Sequence, residues 1–583
     1  MYAYPTNYSE NIGTAEEPRI VYASPYRSTN ERPVVMDGQM YTSNGFWDTY
    51  RTAWTAYALL TPDRAKALHD GILQHYRETG WVGRWLTPGA ANCMVGTSYD
   101  IILGDALARG VALETDAAWG AAVRSAACPM QLCFGRESGH RAPLIGYTPN
   151  GICWTMENAI SDAAISRMAD KLGKRDEALY YANRALFYVN VFDRSLNFFV
   201  QRDIDGNFVA DHDSFDPMAW DYGYVETNAW GTAFSVTHDV QGLINLYGGR
   251  KAAIEKLDAL FAAPALHYRK SGSYQHEMYE AQDIRLGQYQ HSNQPSHHIL
   301  YLYNYLGQPY KTQALTRDVL DRLYVGSPIG QGVYGDEDNG EQSAWYVLSA
   351  LGFYPMNAGS DEYCITSPLL PDVTLHLPTG DIHIRAINQG RDNVYIQSME
   401  IDGKPYDRCF ITHADLTAAR EIVFTMGNAP SAFGTGVDAR PTSLTRGAAV
   451  PCPMVDVSSK ASIESDADVA VLHDDSTMSE MTIEGGTLTV EYAFEQPTEV
   501  KLLTVSCGRD NHAAPTVLCL QACADAEGAA WVTLDSRTAL SYEFPNMIKP
   551  YAPLSTAPYY RYRLTLARTD DTPMVVSEVE LIG

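Results

Sequence analysis

Two hydrophobic rhythms divide this chain, and they change over at Pro355. Before it, apolar residues recur every three or four positions. Ile160, Ala164, Met168 and Leu172 do so on one segment, and Leu179, Ala182, Leu186 and Val189 on the next. That spacing lines one face of an α-helix. The intervening Gly173-Lys-Arg-Asp reads as a helix stop followed by a helix start. Similar helices are expected at 228–246, 250–262, 295–306, 309–324 and 341–352, whereas residues 1–45 read as irregular, broken by Pro and Gly. Helices paired through short turns must bury their apolar stripes on one another, so an α/α assembly is expected from about residue 46 to Pro355.

After Pro355 the period falls to two. Val373-Thr-Leu-His-Leu, Ile382-His-Ile-Arg-Ala and Val394-Tyr-Ile-Gln-Ser alternate as half-buried strands do. They predict a small β region over 356–430 that belongs to the helical unit. Residues 431–454 carry Gly, Pro, Ser and Thr with few apolar anchors and read as a linker. Short strands return over 455–583, at Leu488-Thr-Val-Glu-Tyr, Val500-Lys-Leu-Leu-Thr-Val, Tyr560-Arg-Tyr-Arg-Leu-Thr-Leu and Val579-Glu-Leu-Ile. Their spacing predicts a separate β-sandwich. The expected fold class is therefore multidomain and mainly α, with a small β region and a C-terminal β-sandwich; 583 residues exceed one ordinary core.

The charge narrows the partners. A net charge of −27 without a Lys/Arg cluster argues against nucleic acid. No run of about 18 apolar residues is present, so no membrane-spanning helix is expected. Met1-Tyr-Ala-Tyr-Pro lacks the basic and apolar regions of a signal peptide. Ten scattered Cys without paired metal spacing read as reduced thiols, which favours a cytoplasmic location over secretion. Aromatics reach 11%, and 38 of the residues are Tyr. Such flat rings with a polar edge suit either a sugar or a core.

Four polar clusters could carry chemistry. Gly45-Phe-Trp-Asp-Thr-Tyr-Arg51 places Trp47 and Asp48 at a helix start, either as a helix-end acid over a packed Trp or as sugar contacts. Tyr224-Val-Glu-Thr-Asn-Ala-Trp230 sets Glu226 beside Val225, Trp220 and Trp230. An apolar setting holds a carboxyl protonated, as a general acid needs, although the same Glu could serve a helix dipole. Gly287 to His298 crowds His291, Asn293, Gln294, His297 and His298 into one stretch. The imidazoles lack zinc spacing and fit hydrogen bonds to a sugar better. The amide oxygens of Asn293 and Gln294 suit hard Ca²⁺, and a polar helix cap is the plain alternative. Gly335-Asp-Glu-Asp-Asn-Gly-Glu341 holds Asp336 and Asp338 between glycines, as a calcium clamp, a general base or a solvated turn. Asp203-Ile-Asp-Gly206 and Asp211-His-Asp213 read as hairpin turns.

These clusters, with Met94-Val-Gly-Thr97, His238-Asp-Val-Gln-Gly242, His276-Glu-Met278, Ser343-Ala-Trp-Tyr and Gly352-Phe-Tyr-Pro355, resemble glycoside hydrolase family 92 over about residues 1–430. The resemblance implies an (α/α)6 barrel over 1–355 and a calcium-dependent, inverting exo-α-mannosidase acting on mannosides of N-glycans or mannan. It implies Glu226 as general acid, Asp336 and Asp338 as activators of water, and Trp47 and Asp48 as contacts of the terminal mannose. It further implies Ca²⁺ near Asn293 and Gln294, and His276-Glu277 as the mark of α-1,2 cleavage. Many relatives have Glu at the place of Gln294 and Gly at that of Thr227. The family also begins with a β-sandwich that this chain is expected to lack, leaving its barrel N-terminally incomplete. The C-terminal strands resemble discoidin-like, galactose-binding-type modules. The competing readings are another (α/α)6 glycosidase and a glycan-binding protein without turnover.

Overall fold

The structure, a computed structural model, describes residues 4–29, 31–270, 272–325, 332–528, 530–570 and 572–583. Helices pair along the chain: Ala53–Leu60 with Pro62–Thr79, Tyr99–Ala108 with Thr115–Ala127, and Ile152–Lys171 with Arg175–Arg184. Val240–Leu246 with Arg250–Ala262 and Leu302–Tyr305 with Pro309–Leu323 continue the series. Glu341–Leu351 then packs on Ala53–Leu60, so the last helix meets the first and the circuit closes. Sequence explains which partner faces inward. Tyr99–Ala108 spreads apolar residues over all its sides, pairs its Asp100 and Asp105 with Arg136 and Arg109, and is buried over almost its whole length. Pro62–Thr79 buries one stripe, including Ala65, Leu68, Ile72 and Leu73, and turns Asp63, Lys66 and Arg77 away. A helix apolar on all sides needs neighbours on all sides; a striped one can lie outside.

The helical unit is pinned by buried charge. Arg136 bridges Asp100 at 3.1 Å and Asp162 at 2.6 Å, and Arg184 meets the other oxygen of Asp162 at 2.9 Å. All four side chains are buried.

The small β region is a five-stranded sheet in the order Asp372–Leu377, Gly380–Ile387, Glu421–Gly427, Tyr395–Ile401, Lys404–Tyr406. Ile382, Ile384 and Ala386 point inward, and Asp381, His383 and Arg385 outward, the period-two alternation read from sequence. The inward face packs on Ala53, Ala56, Ala344 and Leu348, clamping the first and last helices of the ring. The sandwich stacks a five-stranded sheet, with Thr487–Thr498 and Tyr559–Ala567 at its centre, on a four-stranded one built around Met574–Ile582 and Leu502–Cys507. Its core is continuous with Trp81 and Val123 of the helical unit. Among the described residues no helix is long and apolar enough to cross a membrane, and all ten cysteines are free.

Three local expectations are corrected. Residues 228–246 are not one helix: Asn228 caps the single turn Ala229–Thr232, and Asp239 caps Val240–Leu246. Two capping side chains inside one apolar run start two helices. Residues 295–306 form the tight turns Gln294–Ser296 and Ile299–Tyr301 followed by Leu302–Tyr305. Residues 1–45 contain short strands, among them Ile20–Ala23 and Val35–Asp37 in one sheet. The stretch 431–454 has no described helix or strand, yet it is fastened to the barrel. Ser443 Oγ and the Thr445 amide donate to Asp239, and the Met454 amide donates to Asn183.

Candidate active site

Four chain segments meet at one end of the helical ring. Gly45 approaches so closely that a Cβ there would lie 2.4 Å from Asp48 Oδ2 and 2.2 Å from the Trp85 ring. It caps the single turn Phe46–Thr49, which fixes Trp47 and Asp48 below the surface. The Gly45 amide donates to Asn339 Oδ1 at 2.8 Å, tying this turn to the 335–341 loop.

That loop bends through three consecutive left-handed residues, Asp338 at φ +51°, Asn339 at +59° and Gly340 at +101°. Its first glycine, Gly335 at φ +94°, lies against the next segment: a Cβ would come within 2.1 Å of the Ser292 carbonyl oxygen. Only glycine permits both the conformation and that approach. The turn separates the two aspartates that sequence placed together. Asp336 is exposed and faces His276 Nε2 at 3.8 Å. Asp338 turns inward, where burial first, then the charges of Asp336 and Glu226, push its carboxyl up to about 7.

Glu226 sits two residues before the Asn228 cap, at φ +53°. Asn228 is itself anchored, its Nδ2 donating to Gln288 Oε1 at 2.7 Å. The apolar neighbours expected from sequence are occupied elsewhere: Trp230 packs edge-on to Phe198 and Trp220 Nε1 donates to His267. The carboxyl of Glu226 meets Asn293 instead, whose Nδ2 donates to its Oε2 at 2.9 Å and to its backbone oxygen at 3.3 Å. Burial raises the Glu226 carboxyl above the ordinary range, the Asn293 bond opposes this, and Glu277 and Asp336 add to it.

Asp48 is the third member. Burial, Asp338 and Glu226 raise it, while the bond from Gln294 Nε2 to its Oδ1 pulls the other way. Glu226, Asp338 and Asp48 are thus within electrostatic reach of one another. Around them stand buried polar atoms with no hydrogen-bond partner among the described residues: Trp47 Nε1, Asp48 Oδ2, Ser292 Oγ, Gln294 Oε1 and Glu277 Oε2. Buried polar groups are ordinarily satisfied, so a cluster of orphans calls for a polar occupant. Three of the five are acceptor oxygens of acids or amides, a set that suits sugar hydroxyls or a hard cation.

The three histidines of the 287–298 segment lie deeper than sequence suggested. His291 is engaged at both ring nitrogens, by the Tyr289 hydroxyl at 2.7 Å and the Tyr324 hydroxyl at 2.8 Å. It therefore has no nitrogen left for a sugar, and burial holds it neutral. His297 Nε2 bonds the His291 carbonyl, and its Nδ1 stands 3.5 Å from Glu341 Oε1. His298 Nε2 bonds the Phe234 carbonyl at 2.9 Å, and burial lowers it to about 3. Two tight turns rather than a helix carry these rings inward. At the rim, His276 bonds Glu280 at 2.9 Å and lies 3.5 Å from Glu277. Glu280, followed by Glu277 and Asp336, favours its protonated form.

Some residues that shape the site had no distinguishing mark in sequence. Glu341 Oε2 accepts the Thr52 and Ala53 amides, each at 3.0 Å, and so joins the closing helix to the Trp47–Asp48 turn. Arg51 lies over the Trp47 and Tyr50 rings and bridges Glu157 at 3.2 Å. Burial first, then the charge of Asp48 and to a lesser degree that of Glu226, raise the Cys93 thiol. Only the pairing of Glu341 with a helix N-terminus could have been guessed.

Known proteins match this chain. The glycosyl hydrolase family 92 catalytic domain matches residues 1–428. A solved family 92 inverting mannosidase from Bacteroides thetaiotaomicron is 35% identical, with a TM-score of 0.67 over 76% of this chain and 60% of that one. A second, a family 92 α-mannosidase of the same organism, is 28% identical with a TM-score of 0.64, over 71% of this chain and 54% of that one. A curated protein of Arthroderma benhamiae, described as an uncharacterized secreted glycosidase, is 25% identical over 64% of this chain and 51% of its own length. The chain thus spans little more than half the length of these relatives. With the family domain matched across all four segments that build the site, this chain belongs to glycosyl hydrolase family 92.

Proposed function

We propose that the chain hydrolyses terminal α-mannosides with inversion, with Glu226 as general acid and Asp338 as the main general base. The observation that carries this is the meeting of two raised, half-buried carboxyls from segments more than a hundred residues apart, among buried polar atoms without partners among the described residues. Glu226 held above its ordinary range keeps a proton to give to the glycosidic oxygen. Asp338 takes the proton of the attacking water. Inversion requires that water between the two groups, at a carboxyl separation of about 6.5–9.5 Å. Asp336, exposed beside His276, contributes to the field on both and shares in activating water.

Trp47 Nε1 and Asp48 Oδ2 would bind hydroxyls of the terminal mannose, and His276 and Glu277 those of the next sugar in an α-1,2 linkage. His297 and His298 support the floor; His291 is not retained as a sugar contact. The orphaned oxygens of Gln294 and Ser292 fit Ca²⁺. The oxygen of Asn293 joins that set, since its amide nitrogen donates to Glu226. Bound there, calcium supplies a Lewis acid and a template for the mannose hydroxyls. Among the described residues no three acids, histidines or cysteines converge as metal ligands.

The test uses the full chain. It should release mannose from α-1,2-mannobiose with calcium present, with the first product appearing as the inverted anomer by NMR, and chelation should stop it. No release from any α-mannoside refutes the proposal. Mannoside binding by calorimetry without release would favour a glycan-binding protein. Release from α-glucosides, indifferent to chelation, would favour another barrel glycosidase. Glu226→Gln should lose most of its rate on substrates with poor leaving groups.

A further inference from the structure

Beyond the acids, one aromatic feature at the rim has no part in the chemistry above. Tyr274 and Tyr279 stack on each other, centroids 5.6 Å apart and planes at 29°, while remaining 50% and 57% exposed. Two large rings stacked yet open to water are not core packing. Tyr279 stands three residues after His276 on the helix His276–Ile284, so the two side chains share a face one turn apart. One turn is about 5.4 Å, the scale of a single sugar ring.

The surroundings tie this pair to the site. His276 faces Asp336, Glu280 holds His276, and Tyr334 of the loop leading to Asp336 donates to Asp283 of the same helix. Helix and loop thus form one continuous wall outward from Glu226 and Asp338. Glu277, Glu280, Asp283 and Asp336 make that wall acidic. An anionic sugar is repelled there, whereas the apolar face and polar edge of a Tyr ring accept a neutral hexose.

We propose that Tyr274 and Tyr279 form a distal subsite that stacks a neutral hexose of the leaving glycan, one sugar beyond the residue next to the cleaved bond. This rests on the reading of the site as a mannosidase and names its preferred substrate as an oligosaccharide of at least three neutral sugars.

The test compares steady-state kinetics of the full chain and of Tyr274→Ala/Tyr279→Ala on a nitrophenyl α-mannoside, α-1,2-mannobiose and α-1,2-mannotetraose. The double variant should raise KM for the tetraose roughly tenfold, the equivalent of about 1.4 kcal/mol. It should leave kcat and both shorter substrates unchanged. Tyr274→Phe/Tyr279→Phe, which keeps the rings, should retain most of the tetraose preference. An unchanged KM for the tetraose, or an equal rise on all three substrates, overturns the subsite. Calorimetry with the tetraose separates the two readings. A chain that hydrolyses nothing but binds the tetraose about tenfold more tightly than the double variant refutes hydrolysis and keeps the subsite. Equal binding refutes the subsite whatever the turnover.

Discussion

Replacing Asn293 by Ala tests the proton inventory of the site most directly. Asn293 is buried, and its Nδ2 donates to the Glu226 carboxyl at 2.9 Å. A hydrogen bond to a charged acceptor is worth about 1.5–3 kcal/mol, and one to a neutral acceptor about 0.5–1.5 kcal/mol. Removal costs the carboxylate more than the acid by about 1–1.5 kcal/mol, and one pH unit corresponds to about 1.4 kcal/mol. The sign follows. The bond favours ionised Glu226, so its loss raises the carboxyl further. A general acid must be protonated, so the high-pH limb of kcat/KM should move upward by about one unit. The profile of kcat/KM against pH on α-1,2-mannobiose, at saturating calcium so that a weakened metal site does not intervene, reads this out. A limb that stays in place, or moves to lower pH, would refute the assignment of Glu226 as the acid controlled by Asn293.

Gly335→Ala should lower kcat at least tenfold with little change in melting temperature, because its Cβ collides with the Ser292 carbonyl and displaces the loop bearing Asp338; unchanged kinetics would show that this approach is not needed. Asp162→Ala should destabilise the helical unit by about 3–5 kcal/mol in denaturant unfolding, since it leaves the buried Arg184 guanidinium without a carboxylate and the buried Arg136 with Asp100 alone, and a loss below about 1 kcal/mol would contradict that account. Ser443→Ala should cost about 1.5–3 kcal/mol by removing one donor to the Asp239 carboxylate, and Thr445→Ala should act similarly; additive losses would indicate independent anchors and no change a slack strap.

Periodicity alone divided this chain correctly into helix pairs, a small sheet and a sandwich, because a face that must be buried writes its spacing into the sequence. The cluster residues were legible for the same kind of reason: Gly335, Gly340 and Asp338 mark a turn that other residue types do not make easily. What sequence left open depended on direction. Asp336 and Asp338 differ by two positions, and only the run of left-handed residues sends one to the rim and the other inward. His291, His297 and His298 looked like sugar contacts because imidazole spacing does not report depth; the turns that bury them depend on Tyr324 and Phe234 arriving from elsewhere. The meeting of Glu226 with Asp338 and Asp48 is of the same kind. Local forces set the shape of each segment, but charges repel and raise one another only when distant segments are brought into one poorly solvated space, and that is settled by the closure of the ring.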